Sequence, residues 1–134
     1  MNDNSVTTVP RDTLIDLFHD LESHRGEFLV YDDGYRVRRY SYEQVTRAAR
    51  AFAQRLRDAG VKQGQNVVLW GENRPEWIVC YWGCIIAGVV IVPIDYRSSA
   101  DFLSRVARLV AARVVVLGDD VQSSTLGTPG TPGT

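Results

Sequence analysis

The sequence predicts an α/β domain in which an amino-terminal helix and a β-hairpin precede β-α-β-α-β units with a parallel sheet. Short apolar runs alternate with helical repeats and are joined by short polar connections, which is typical of parallel sheets with right-handed crossovers. Further upstream, an Asp-Gly pair lies between two strand-like runs. At 134 residues, the chain is long enough to bury a single core.

The net charge of −1 gives no general attraction to nucleic acid or to anionic lipid. We therefore expect no nucleic-acid partner, while peripheral contact with a membrane stays open. The amino terminus, MNDNSVTTVPRD, has neither the basic start nor the apolar core of a signal peptide. A cytoplasmic location is expected by default.

The first elements are a helix, a hairpin and a second helix. Residues Thr13 to Leu21 have a helical pattern, and FLVYDDGYRVRRYS predicts two strands around Asp33-Gly34. Ser41 and Gln44 have the spacing of a capping box, which predicts that a helix begins there. This helix ends at Gly60, and its apolar repeat predicts four inward residues: Val45, Ala49, Phe52 and Leu56.

A strand over Val67 to Trp70 and a third helix follow. The helix starts at ENRPEW, where Asn73 is a candidate cap, Pro75 lies in the first turn and Glu76 completes an Asn-x-x-Glu box. It extends to Gly88, after which VVIVPI predicts another strand.

A fourth helix and a final strand complete the predicted units. Ser98 and Asp101 have capping-box spacing, and RVVVL, from Arg113 to Leu117, is a short buried strand. The predicted inward stripe of the helix consists of Phe102, Val106, Leu109 and Val110.

The segment from Trp77 to Ile94 has a second interpretation, because it contains no charged residue and is about as long as a minimal transmembrane helix. Gly88 divides it into an aromatic-rich part and a β-branched part, and β-branched residues favour a strand. A helix, a tight turn and a strand are therefore favoured, with a single membrane span as the alternative.

The stretch GVVIVPIDYRSS, residues 88 to 99, is the candidate functional site. Six apolar residues run directly into an acid, an aromatic residue and a basic residue, as expected for a buried central strand that opens at its carboxyl end. Asp95 to Arg97 could form the edge of a ligand site. We predict no catalytic triad and no metal site. Two histidines are interpreted as surface residues and two cysteines as packing residues: His19, His24, Cys80 and Cys84.

The glycine-rich tail VQSSTLGTPGTPGT, residues 121 to 134, could be interpreted as a phosphate loop. It contains no lysine, precedes no helix and repeats every three residues, so low-complexity disorder is the prediction. The predicted organisation is a flexible amino terminus over residues 1 to 11, a folded domain over 12 to 120 and this tail.

Two stretches, taken in order, resemble a known family. YSYEQV leads into a helix that ends in AG, and the block GCIIAGVVIVPIDYRSS follows. This order resembles the amino-terminal portion of the adenylate-forming (AMP-dependent synthetase/ligase) superfamily, especially its long-chain acyl-CoA synthetase branch. The resemblance covers about residues 12 to 120, and it implies that the domain is part of the large amino-terminal AMP-binding domain.

The resemblance implies a reaction for the parent enzyme. A fatty acid or other carboxylic acid reacts with ATP, assisted by Mg2+, to give an acyl-adenylate and pyrophosphate, and the acyl group then passes to CoA. The family's phosphate loop, ribose-binding aspartate and lid lysine have no counterpart in this sequence, so no catalytic residue is assigned and the chain alone is expected to be inactive. The resemblance implies that Arg97 is the cofactor-binding residue, because some relatives place a basic residue there against CoA phosphates; a solvated arginine beside a helix cap is the alternative.

The sequence thus predicts an amino-terminal fragment of an AMP-dependent acyl-CoA synthetase that takes part in fatty-acid activation. A stand-alone, non-catalytic α/β module that binds a partner through its exposed sheet edge is the alternative. The single-span membrane protein is a third interpretation.

Overall fold

The computed structural model describes residues 12–118 and has the predicted α/β architecture. A two-stranded antiparallel hairpin pairs β1 with β2, and a three-stranded parallel sheet has the order β4-β3-β5. The elements are α1 (Leu14–Ser23), β1 (Glu27–Asp32), β2 (Val37–Ser41), α2 (Tyr42–Asp58), β3 (Asn66–Gly71), α3 (Pro75–Ala87), β4 (Val90–Asp95), α4 (Ala100–Leu109) and β5 (Val114–Leu117). The predicted flexible terminus and the predicted low-complexity tail lie outside the described residues.

The local signals at the start of the chain are confirmed. Gly34 has a φ of 87°, and the Asp33 carboxylate accepts hydrogen bonds from two backbone N–H groups of the hairpin loop. Ser41 Oγ accepts from the Gln44 N–H at 3.1 Å, and Gln44 Oε1 accepts from the Ser41 N–H at 2.8 Å. These reciprocal bonds satisfy donors that helix geometry leaves unpaired, so α2 begins where the sequence predicts.

The segment from Trp77 to Ile94 forms a helix, a turn and a strand. Helix α3 ends at Ala87, Gly88 caps it with a φ of 69°, and β4 starts at Val90. Among residues 12–118, no helix is long and apolar enough to cross a membrane.

Two predicted helix caps are wrong by one position. Arg74, not Asn73, is the N-cap of α3, and its side chain makes no capping bond. Pro75 at the first helical position has no N–H, so the helix start has one donor fewer to satisfy. In α4, Ser99 rather than Ser98 is the cap, since Ser99 Oγ accepts from the Phe102 N–H at 3.2 Å.

The predicted inward stripe of α4 is partly wrong. Phe102 and Leu109 are 42% and 85% exposed, whereas Leu103 is 2% exposed. The residues that pack inward share a different i, i+3, i+4, i+7 spacing: Leu103, Val106, Ala107 and Val110. A pattern based on large side chains missed this stripe because one of its members is the small Ala107.

The two faces of the parallel sheet are covered by different helices. Val67 of β3 packs with Leu56 of α2 and Cys84 of α3, while Val68 of β3 packs with Leu103 of α4 on the opposite face. The chain therefore leaves β3 toward one face and leaves β4 toward the other.

Within residues 12–118 the central strand of the parallel sheet is β3, and the expectation that residues 90 to 95 form the central strand is wrong there. Strand β4 is at one side of the described sheet, and Val90 is 48% exposed. Pro93 suits this position because an edge strand can lack a ladder donor. An apolar run cannot reveal which strand is central, since strand order depends on pairing between distant segments.

Candidate functional site

A crevice of about 350 Å3 opens beyond the carboxyl ends of β3 and β4. Residues 71–73 at the end of β3 line one side, residues 93–97 at the end of β4 line the other, and Trp77 of α3 also lines the crevice. Because the connections from these strands pass to opposite faces of the sheet, the crevice lies at a topological switch point, where α/β sheets bind ligands. The predicted ligand edge, Asp95 to Arg97, lies in this crevice.

The strand ends that form the crevice are held together. Gly71 is the register partner of Asp95 in the parallel ladder. Trp70 Nε1 donates a hydrogen bond of 3.0 Å to the Asp95 carbonyl, and this carbonyl also accepts from the Ser98 N–H at 2.9 Å. The backbone at Asp95 is therefore anchored on both sides.

The Asp95 carboxylate is paired with Arg97. Asp95 Oδ1 accepts from the Arg97 backbone N–H at 2.8 Å and from Nε at 3.2 Å, and Oδ2 accepts from Nη2 at 3.1 Å. These bonds lower the pKa of Asp95, and the carboxylate raises the pKa of Arg97. Both groups are therefore charged at neutral pH.

The rest of the Arg97 side chain faces solvent. Its side chain is 74% exposed, and its Cζ lies 5.5 Å from the centre of the Tyr96 ring. Within residues 12–118, the guanidinium of Arg97 donates to Asp95 through Nε and Nη2, so its Nη1 end can bind an anionic ligand. Glu72 contributes a carboxylate to the same crevice, and the site is therefore of mixed charge rather than uniformly basic.

The two cysteines are part of the helix packing. Burial is the main cause that raises the pKa of Cys80 to about 11 and that of Cys84 to about 12. Both thiols are consequently protonated at neutral pH, and a thiol is a far weaker nucleophile or metal ligand than a thiolate.

The histidines are exposed and make local contacts. His19 Nδ1 lies 3.2 Å from Glu22, and His24 Nδ1 lies 2.6 Å from the Asp20 carbonyl. Across the part of the chain that the structure describes, no group of three or more His, Cys, Asp or Glu side chains could hold a metal ion.

The sequence did not reveal an apolar groove between α2, α3 and β5. Its volume is about 580 Å3, and Phe52, Val79 and Val116 contribute apolar walls. The signal was the pair Ala48 and Ala51, small residues on α2 that leave space instead of filling it. Groove and crevice lie at separate places, and Cys80, which lines the groove beside Glu76, is a partly buried and protonated thiol.

The profile of the AMP-binding enzyme family matches residues 18–131, which is most of the chain. The chain therefore belongs to the AMP-binding enzyme family.

The curated relatives include CoA ligases. The chain is 31% identical over 78 residues to the crotonobetaine/carnitine–CoA ligases of Escherichia fergusonii and Shigella flexneri. The match covers 58% of this chain and 15% of each relative. The chain thus corresponds to a small part of the length of these ligases.

Solved structures show the same fold. A fatty acyl-adenylate ligase from L. pneumophila has a TM-score of 0.73 at 24% identity, over 80% of this chain and 20% of that chain. A Mycobacterium tuberculosis fatty acyl CoA synthetase has a TM-score of 0.68 at 24% identity, over 78% of this chain and 21% of that chain. The N-terminal subdomain of Klebsiella oxytoca NpsA has a TM-score of 0.67 at 22% identity, over 87% of this chain and 29% of that chain. The described domain is thus an amino-terminal portion of the adenylate-forming fold.

Proposed function

We propose that this chain forms the amino-terminal part of an AMP-forming acyl-CoA ligase. The family match over residues 18–131 carries the proposal, and the 31% identity to CoA ligases supports the CoA-dependent half of the reaction. In the parent enzyme, a carboxylate would attack ATP in the presence of Mg2+, and the acyl-adenylate would then react with the CoA thiol. Residues 12 to 120 would be the part of the AMP-binding domain that this chain supplies.

For the acid, we propose a fatty acid of the long-chain class. The family resemblance in the sequence favours this class, and two of the solved structures with the same fold are named for fatty acyl substrates. The curated relatives favour a different acid, since they are named for crotonobetaine and carnitine. A panel of acids from short to long, tested on an enzyme that contains this segment, distinguishes the two.

The chain by itself is proposed to activate no acid. Adenylation brings two anions together and stabilises charge on the departing pyrophosphate, which requires a phosphate cradle, a cation and positioning groups. Within residues 12–118, the crevice offers one exposed arginine beside two carboxylates, which does not form such a cradle.

Acid-dependent exchange of pyrophosphate into ATP tests this proposal. The purified chain, with ATP, Mg2+ and a panel of fatty acids, should give no exchange and no acyl-CoA above a control without protein. Acid-dependent exchange that is lost when residues 121 to 134 are removed would contradict the proposal and would make the Gly/Thr/Pro tail a working phosphate loop.

Arg97 is proposed to contact a phosphate of CoA. Its position at the switch-point crevice and its free guanidinium end support this role. In a full-length ligase that carries this segment, Arg97→Ala should raise the KM for CoA about tenfold, the size expected when one charge-assisted hydrogen bond is lost, and should leave adenylate formation unchanged.

An exposed arginine elsewhere provides the matched control. Arg57→Ala on α2 removes the same charge outside the crevice and should leave the KM for CoA unchanged. Equal losses in both half-reactions for Arg97→Ala would assign the arginine a structural role and exclude the CoA contact.

A further inference from the structure

We infer that Asp95 is a positioning residue, which holds Arg97 so that one edge of the guanidinium faces an incoming phosphate. The inference rests on the proposed contact between Arg97 and CoA. It adds a residue that the family comparison does not assign.

The hydrogen bonds divide the guanidinium into two edges. Asp95 occupies the edge formed by Nε and Nη2, at 3.2 and 3.1 Å. Arginine has five N–H donors, so both protons on Nη1 and one on Nη2 stay available at the outer end. This pair of nitrogens has the spacing that binds two oxygens of one phosphate.

Asp95 is itself fixed in place. Its carbonyl accepts from Trp70 Nε1, its backbone pairs with Gly71 in the ladder, and its Oδ1 accepts the Arg97 N–H. The Tyr96 ring lies against the guanidinium from another side. The long arginine side chain is thereby ordered before a ligand binds, although it is mostly exposed.

Ordering the arginine in advance strengthens binding, because a flexible side chain must otherwise be immobilised by the ligand. The immobilisation of one such side chain weakens affinity on the order of two- to tenfold. The negative charge of Asp95 acts in the opposite direction by repelling phosphate, but its side chain is about half exposed, and the high dielectric constant of the surrounding water weakens this repulsion. We therefore expect the positioning effect to dominate at about 0.15 M salt.

Two substitutions separate these effects. Asp95→Ala removes both the charge and the hydrogen-bond acceptor. Asp95→Asn removes the charge and the Oδ2 acceptor of Arg97 Nη2, but it keeps Oδ1, which accepts from the backbone N–H and from Nε of Arg97. Positioning predicts that Asn preserves binding and that Ala does not, whereas simple repulsion predicts that both variants bind phosphate more tightly.

The experiment titrates the full chain with CoA and with dephospho-CoA, which lacks the 3′-phosphate, and follows backbone and Arg Nε–H signals by NMR. We expect Arg97→Ala and Asp95→Ala each to weaken CoA binding about three- to tenfold, with Asp95→Asn within about twofold of the natural chain. In the unliganded chain, the Arg97 Nε–H signal should be protected from exchange and should lose that protection in Asp95→Ala.

The outcomes separate the inference from the proposed contact. If Arg97→Ala weakens CoA binding while Asp95→Ala leaves it unchanged or tightens it, the positioning role is wrong and the phosphate contact stands. If Arg97→Ala has no effect, or if CoA does not bind, the proposed contact is wrong and the role of Asp95 is excluded with it. If Arg97→Ala and Asp95→Ala weaken the binding of CoA and of dephospho-CoA by the same factor, Arg97 contacts a phosphate other than the 3′-phosphate. That result would still support the positioning role of Asp95.

Discussion

Gly83 of α3 lies close against α2, and replacing it with alanine should destabilise the domain. An added Cβ would lie 2.5 Å from Phe52 Cδ1 and 2.9 Å from the Ala49 carbonyl oxygen. Real Cβ atoms essentially never approach other atoms within 3.0 Å, so something must shift. The Phe52 ring can rotate, but the Ala49 oxygen belongs to the backbone of α2.

The expected magnitude follows from two opposed effects. Alanine is favoured over glycine in a helix interior by about 1 kcal/mol. Overpacking a core lowers the free energy of unfolding by about 1–3 kcal/mol. The clash with the Ala49 carbonyl oxygen puts Gly83→Ala at the upper end of this range, because the two helices must separate to relieve it. The net loss in the free energy of unfolding should be about 1–2 kcal/mol, which corresponds to a fall in Tm of roughly 4–16 °C for a domain of this size.

Urea unfolding followed by tryptophan fluorescence measures this loss. Ala51→Gly, at an exposed position of α2, is the matched control and reports the effect of helix propensity alone. The cost of Gly83→Ala should decrease when Phe52 is also replaced by alanine, since one of the two clashes is then removed. A Gly83→Ala variant as stable as the natural chain, or more stable, would refute the close approach of the helices.

Two further predictions concern local contacts. Glu22→Gln should lower the free energy of unfolding at pH 7 by about 0.5 kcal/mol, because Glu22 pairs with Arg50 between α1 and α2 and the pair is partly exposed. The hydrogen bond from Arg50 lowers the pKa of Glu22 from its usual 4.5, so this stabilisation is present above pH 4.5 and is lost as the pH falls through the folded-state pKa. If the two proteins differed as much in their free energy of unfolding at pH 2 as at pH 7, the prediction would be contradicted. Ser99→Ala should lower the free energy of unfolding by about 1 kcal/mol because it removes the cap of α4, while Ser98→Ala should change it little. If urea midpoints showed the larger loss for Ser98→Ala, Ser98 would be the cap.

Signals that depend on neighbouring residues could be predicted from the sequence. The capping box of Ser41 and Gln44 forms its hydrogen bonds within four residues, and Gly34 adopts its turn without help from distant elements. The helix, turn and strand around Gly88 are of the same kind, since a left-handed cap followed by β-branched residues ends a helix locally.

Features that depend on tertiary packing could not be predicted in this way. Ser98 and Ser99 are adjacent candidates for one cap, and only the packing of α4 on the sheet decides between them. The central position of β3 in the described sheet depends on its pairing with both β4 and β5, which are distant from it in sequence. The sequence located Arg97 at the candidate site, but its pairing with Asp95 depends on how the chain turns after β4.

A chimeric ligase tests the central claim most directly, namely that this chain forms the amino-terminal part of an acyl-CoA ligase. The region of the E. fergusonii crotonobetaine/carnitine–CoA ligase that matches this chain would be replaced by the corresponding residues of this chain, and acyl-CoA formation would be measured on folded, monodisperse protein. We predict that the chimera forms acyl-CoA, whereas the same ligase with its matching region deleted does not. A folded chimera that makes neither the acyl-adenylate nor acyl-CoA would contradict the claim and would favour a stand-alone binding module.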